Sequence, residues 1–370
     1  MTTELSAAER RTAAVRSCDR ILSGLRPQTM REQLAALSTV DGLDGPPDYY
    51  NSNGPVGLLE ERVAALLGTE AAAFFPTGTM AQQVALRYGA ERTGRGAVAL
   101  HPLSHLEVHE RQAYSQLTGL RGLWPTSAPR HFTADEVTAV GEPFGTLLIE
   151  LPLRDAGFLL PSWQELVELT TAARATGARV HLDGARLWES TTHLGHALDE
   201  VSALADSVYV SFYKSLGGFS GAALAGSAEL IEYARAWRHR HGGNLFQQWP
   251  AALKALHGLD TELPRLPDYR RQAQAVAEVL ATLPGARVNP APPHTHQFQL
   301  WLPHPAHLLN EAALTLADQE QLWFIDRWTD TLSPGQAMAE VTITTPALDW
   351  TPDDVLDTAD HFLALVRKAR

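Results

Sequence analysis

From residue 71 onward, short apolar runs alternate with longer segments of helical pattern, and no other feature of the chain narrows its fold as much. "AAAFF" leads into a helical stretch from Met80 to Glu91, "GAVAL" follows, and "TLLIEL" precedes a second helical stretch from Trp163 to Ala175. "ARVHLD", "DSVYVSF" and "GAALAG" continue the series. Runs of this length are strands rather than helices. Because they are largely apolar and alternate with helical segments, they predict βα units and a mostly parallel sheet covered on both faces by helices. Ligands of such sheets bind at the carboxyl ends of the strands, so the residues just after each run are where chemistry is to be sought.

Outside this series the pattern changes. Residues 4 to 25, "ELSAAERRTAAVRSCDRILSGL", are rich in Ala, Arg and Leu and predict an amphipathic helix ending near Gly24 and Pro27, packed on the body or on a partner subunit. After Gly226 come helical stretches to His241, from Gln247 to His257 and from Arg265 to Leu283. "HQFQLWL" and "AEVTITT" then predict strands, "NPAPPHTH" a loop, and "TPDDVLDTADHFLALVRKA" a last helix capped by Thr351. The expected organisation is an N-terminal helical segment (1–47), a large α/β domain (48–245) and a smaller C-terminal α+β domain (246–370). The length of 370 residues fits a large domain with a smaller one.

A formal charge of −12 argues against a nucleic-acid partner, for which a basic face is expected. One cysteine, Cys18, cannot form an internal disulfide, and no Cys/His cluster has metal-site spacing. No apolar run reaches the roughly 20 residues of a membrane span, and the N-terminus lacks a signal-peptide pattern. The expectation is a cytoplasmic protein with no membrane and no metal partner.

Three strand ends carry groups that fit together. "SFYKSLGG" places Lys214, the one ammonium in an aliphatic and aromatic stretch, in a Gly/Ser-rich loop after the strand Ser207 to Phe212. A lysine there is either a snorkelling surface residue or a nucleophile whose desolvated amine loses its proton readily. "VHLDGARLWES" ends a strand in Asp183, which is by itself either a helix cap or a partner for a protonated ring nitrogen. "FFPTGTMAQQ" is a strand, a turn with Gly78 and Thr79, and a helix start at Met80, offering backbone N–H groups and a hydroxyl to an anion such as phosphate. Alone that junction reads more readily as an ordinary cap. Together the three parts match the needs of pyridoxal 5'-phosphate: an amine, a carboxylate for the pyridine nitrogen, and a helix N-terminus for the phosphate.

In order and context these segments resemble the threonine aldolase and β-eliminating lyase family of fold-type I pyridoxal-phosphate enzymes. The likeness runs from about Asp48 to Gly243 and rests on "DYYNSNGPVGLLEERVAALLGTEAAAFFPTGTMAQ", "SHLEVHE", "HLDGARLWES" and "SFYKSLGG". The resemblance implies that Lys214 is the Schiff-base lysine and Asp183 the partner of the pyridine nitrogen. Gly78, Thr79 and Met80 would contribute to the phosphate cup. His105 falls where the family stacks an imidazole on the cofactor ring, with Glu110 five residues on, and is the candidate base. Arg186 would lie near the cofactor and the substrate carboxylate. Arg154, Tyr50 and Glu110 complete the expected substrate-facing set, Tyr50 being contributed to a neighbouring subunit of a homodimer or homotetramer.

The chain also departs from the family. An "RSDT"-like N-terminal segment is absent, and where relatives carry a histidine in an "ENTHN"-like loop this chain has "ELPLRDAG", with Arg154 nearby. Tyr213 precedes the lysine where Ser is usual, and Phe246 in "GGNLFQQ" replaces an arginine. Glu340 or Ile343 stands where a C-terminal arginine would clamp the substrate's α-carboxylate. The leading expectation is a lyase cleaving the Cα–Cβ bond of a β-hydroxy-α-amino acid to glycine and an aldehyde. The alternatives are β-elimination, racemisation or amino transfer on the same cofactor, and a cofactor-binding protein impaired in catalysis.

Overall fold

The computed structural model describes residues 6–368. Its contacts divide the chain into two units, one formed by Ala35–Pro264 and the other by Met1–Leu34 with Arg265–Arg370. These divisions at 34/35 and 264/265 differ from the 47/48 and 245/246 boundaries read from the sequence. The helix Trp249–Thr261 goes with the larger unit because it packs on Gly54–Leu67, and because its Gly258 lies so near Leu216 that a Cβ there would come within 2.1 Å of the Leu216 carbonyl oxygen.

The larger unit is built on seven strands: β1 (Ala71–Phe75), β2 (Ala97–Ala99), β3 (Arg121–Leu123), β4 (Thr146–Glu150), β5 (Arg179–Gly184), β6 (Ser207–Ser211) and β7 (Ala222–Gly226). Their order is β1-β7-β6-β5-β4-β2-β3. The run from β6 to β3 is parallel, while β7 is antiparallel to both of its neighbours. The mostly parallel sheet expected from the sequence is therefore present, with one reversed strand. That reversal follows from the connection. No helix separates β6 from β7, and a parallel pair needs a crossover of a dozen or more residues. The short connecting loop is the one that carries Lys214. β3 is a three-residue edge strand around Gly122, too short and too weakly apolar to stand out in the sequence.

Strands β4, β6 and β7 are buried along their whole length, as continuous apolar runs require. The helices beside them begin and end on recognisable caps. Gly78–Thr93 starts at Thr77, whose hydroxyl accepts the Met80 N–H at 3.3 Å, and stops at Gly94 in the left-handed region. Trp163–Ala175 starts in a capping box between Ser162 and Glu165.

The smaller unit carries a four-stranded antiparallel sheet, ordered Thr329–Asp330, Ala337–Thr342, Gln297–Leu302, Arg287–Asn289. Its core gathers Phe298, Leu300, Phe324, Trp328 and Phe362. Thr351 caps the last helix, Pro352–Lys368, by accepting the Asp354 N–H at 3.1 Å. The N-terminal helix is shorter than its composition suggests. It spans Ala7–Ser17, and Arg20–Ile21 then pairs as a parallel strand with Leu322–Trp323. Cys18, Ile21 and Leu22 are buried, and burying all three in extended backbone outweighs continuing a weakly apolar helix. Residues 4 and 5 of the expected helix lie outside the described residues. Among the described residues no helix is long and apolar enough to cross a membrane.

Candidate active site

The ends of β4, β5 and β6 bring Glu150, Asp183 and Lys214 together, and the loop after β2 adds His105. Glu150 closes β4 and Asp183 lies near the end of β5, paired in register with each other. Both are buried. Burial pushes both carboxyls upward, and for Glu150 the charge of Asp183 adds to the shift. Glu150 accepts the backbone N–H groups of His105 at 2.7 Å and Arg154 at 3.2 Å, so it ties together the loops after β2 and β4. Asp183 accepts the Ala185 N–H at 3.1 Å, and the charges of His105 and Lys214 hold its shift back.

Lys214 lies three residues past β6. Burial draws its amine down to about 8, the Arg186 guanidinium adding to the effect while Asp183 and Glu150 oppose it. A lysine in water titrates near 10.4, so near pH 8 this amine is neutral far more often and can act as a nucleophile. Ser215, the next residue, donates to Glu189 Oε1 at 2.8 Å. Glu189 is buried, its Oε2 has no hydrogen-bond partner, and burial raises its carboxyl to about 7 against the pull of Arg186.

His105 opens the short helix His105–Val108, with Nδ1 3.3 Å from Glu110 Oε1. Glu110 is buried and reaches Gln83 Nε2 at 3.4 Å with its other oxygen. The structure thus gives Glu110 a place behind the imidazole, as its support. Burial pulls His105 down, but the hydrogen bond to Glu110 and the charge of Asp183 outweigh it, and the net shift is upward.

At the start of Gly78–Thr93 the N–H groups of Gly78 and Thr79 have no acceptor within the helix, whereas the Met80 N–H is taken by Thr77. A Cβ at Gly78 would come within 2.1 Å of the Tyr209 hydroxyl, so only glycine lets the helix start so close to β6. Arg186 lies with its guanidinium 5.4 Å from the centre of the Phe158 ring, and its buried Nε has no hydrogen-bond partner. Arg154 is tied to the cluster through its backbone and through its charge on Lys214. Tyr50 is exposed, its N–H donates to the Phe246 carbonyl at 3.0 Å, and its ring meets that of Phe246 edge-on at 5.5 Å. It joins none of the bonds that tie the Lys214 group together.

Five residues of this neighbourhood were not read as functional from the sequence: Glu150, Glu189, Ser215, and His109 with Asp155, whose Nε2 and Oδ2 lie 2.7 Å apart. For Glu189 a signal existed, since an acid in the otherwise apolar "LWES" has little reason to be buried without a role. The assembled donors fit pyridoxal phosphate. They comprise an amine at Lys214 drawn down to about 8, a buried carboxylate at Asp183, an imidazole at His105, open N–H groups at Gly78 and Thr79, and the partnerless Nε of Arg186.

A family profile described as "Beta-eliminating lyase" matches residues 28–301. The "Probable low-specificity L-threonine aldolase 2" of Arabidopsis thaliana is 29% identical over 311 residues, covering 79% of this chain and 83% of that protein. A solved structure of a putative L-allo-threonine aldolase from Listeria monocytogenes EGD-E is 30% identical with a TM-score of 0.89, covering 97% of this chain and 98% of that one. The structure of a putative aromatic amino acid beta-eliminating lyase/threonine aldolase from Exiguobacterium sp. 255-15 is 32% identical with a TM-score of 0.89, covering 98% and 100%.

Proposed function

Because the chain belongs to the beta-eliminating lyase family, we propose that it is a pyridoxal-phosphate-dependent lyase that cleaves the Cα–Cβ bond of a β-hydroxy-α-amino acid, giving glycine and an aldehyde. The observation that carries this is the amine of Lys214, drawn down to about 8 beside the buried Asp183 at the strand ends. Similarity to relatives named as threonine aldolases supports the bond chosen.

Pyridoxal phosphate, when bound, supplies an electron sink conjugated to the substrate's amino nitrogen. Lys214 would hold it covalently, with the N–H groups of Gly78 and Thr79 on the phosphate. Asp183 would keep the proton on the pyridine nitrogen, a task helped by the charge of His105, which favours the ionised carboxylate against burial. His105, held by Glu110 and by its N–H to Glu150, would cover the ring face. Arg186 and Arg154 are the cations offered to the substrate's carboxylate. The same reading carries the expectation of a homodimer or homotetramer, in which the exposed Tyr49, Tyr50, Leu245 and Phe246 would be covered.

The experiment is a panel of β-hydroxy-α-amino acids of increasing side-chain size, with product analysis, on the parent and on Lys214→Ala. Glycine plus aldehyde is expected from the parent. Activity on threonine should be weak, because each charge-assisted hydrogen bond missing with the clamp arginine is worth about 1.5–3 kcal/mol. Bulkier substrates should do better by contacting Tyr49, Tyr50 or Tyr213. Lys214→Ala should lose cleavage and any borohydride-fixable cofactor. A keto acid and ammonia in place of glycine would overturn the aldol assignment, and a fixable cofactor in Lys214→Ala would overturn the lysine.

A further inference from the structure

We propose that His109, oriented by Asp155, takes the proton of the substrate's β-hydroxyl, a role that rests on the aldol-cleavage reading above. His109 lies one helical turn beyond His105. Its N–H donates to the His105 carbonyl at 2.8 Å, and the two ring centres are 5.2 Å apart. Residues four apart share a helix face, so both imidazoles project from the same side. The contact of His109 Nε2 with Asp155 Oδ2 fixes the tautomer. Nε2–H donates to the carboxylate, which leaves the Nδ1 lone pair as the acceptor and places a negative charge behind the ring to stabilise an imidazolium.

His109 shares a helix face with His105, whose charge acts on Asp183, and Asp155 follows in the chain on Arg154, whose charge acts on the Lys214 amine. With side chains 37% and 22% exposed, His109 and Asp155 are open to water that can receive the proton afterwards. His105 is less suited to the task. Its Nδ1 is engaged by Glu110, and the net upward shift keeps it protonated to higher pH than an ordinary imidazole. An imidazolium has no lone pair to offer.

The β-hydroxyl O–H bond breaks and its proton goes to Nδ1 of His109, while the O–H electron pair becomes the second C–O bond of the aldehyde. The Cα–Cβ bond breaks with its electron pair left to Cα, which takes one proton from solvent to give glycine. His109 then returns its proton to solvent, so that no net proton is gained or lost.

The test uses the holoenzyme with its best substrate from the panel, and the variants His109→Asn and Asp155→Asn. Two rates are read: glycine release, and exchange of the α-proton of added glycine with deuterated solvent, which involves no β-hydroxyl. In His109→Asn glycine release should fall about 100-fold or more while α-proton exchange and bound cofactor stay within about threefold of the parent. Asp155→Asn should show the same split with a smaller fall. Parallel loss of both rates would make His109 structural, and unchanged glycine release would leave the proton to another group. Either result overturns the proposal. A parent that exchanges the glycine α-proton but releases no glycine from any panel member would refute the aldol reading, and this proposal with it.

Discussion

Glu60 and Glu189 are buried carboxylates of the same unit, and their surroundings treat them in opposite ways. Glu60, on the helix Gly54–Leu67, accepts the Phe74 N–H at 2.8 Å, Arg238 Nη1 at 3.2 Å and Arg235 Nη2 at 2.7 Å. Its charge is matched and both oxygens are occupied. Glu189 has Ser215 on one oxygen and no hydrogen-bond partner on the other, and burial raises it to about 7. Glu150 and Asp183, in adjacent strands, are raised as well. Where the fold sets cations at bonding distance of a buried carboxylate, the charge serves structure. Where it leaves burial uncompensated, at and beyond the carboxyl ends of β4 and β5, the carboxyls are raised and their protonation is available to chemistry.

The largest effect that would break this contrast lies at the satisfied end. Glu60→Ala leaves Arg238, only 4% exposed, without its carboxylate, and removing one partner of a buried pair is expected to destabilise the fold by about 3–5 kcal/mol. Urea unfolding measures it, and kcat per folded molecule should be nearly unchanged. Unaltered stability with a fallen kcat would erase the distinction between the two regions.

At the unsatisfied end the signs reverse. On the proposed reading, Asp183→Asn removes the charge that would partner the cofactor's ring nitrogen without opening a cavity, so kcat at saturating cofactor should fall by roughly 10²–10³-fold, the scale of losing one preorganised electrostatic group. The thermal midpoint should hold or rise, since one buried negative charge beside Glu150 is gone. If turnover persisted, Asp183 would be a cap for Ala185 and nothing more.

Glu189→Gln sharpens the comparison through pH. The carboxyl titrates at its ordinary 4.5 in the unfolded chain and near 7 in the fold. Between those values the folded protein holds a proton that the unfolded chain has lost, so stability falls as pH rises from about 4.5 to 7 and is level above. Glutamine never ionises. The stability of Glu189→Gln relative to the parent should therefore improve by about 2–3 kcal/mol between pH 5 and pH 8, measured by urea unfolding of the cofactor-free proteins. A pH-independent difference would mean that the burial of Glu189 is fully compensated.

The strands of the large sheet were legible because burial on both faces demands unbroken apolar runs, and "TLLIEL", "ARVHLD" and "DSVYVSF" each became a strand within a residue or two. Lys214 and Asp183 were legible for the same reason, since a charge at the end of an apolar run stands out. His109 was not. Its role depends on Asp155, 46 residues away, and nothing local in "SHLEVHE" marks one histidine above the other. The length of the N-terminal helix was also hidden, because Leu322 and Trp323 supply the strand partner for Arg20 and Ile21.

By itself the sequence determined which elements form and which charged residues stand at strand ends, because periodicity and burial act over neighbouring residues. Only the tertiary structure decided that β7 runs antiparallel, that Glu150 and Asp183 face each other in register, and that Glu60 meets two arginines while Glu189 meets none at bonding distance. Protonation follows from desolvation and the placement of neighbouring charges over a few ångströms. Groups far apart in the chain set those distances, so the chemistry of the site becomes readable only once the chain has folded.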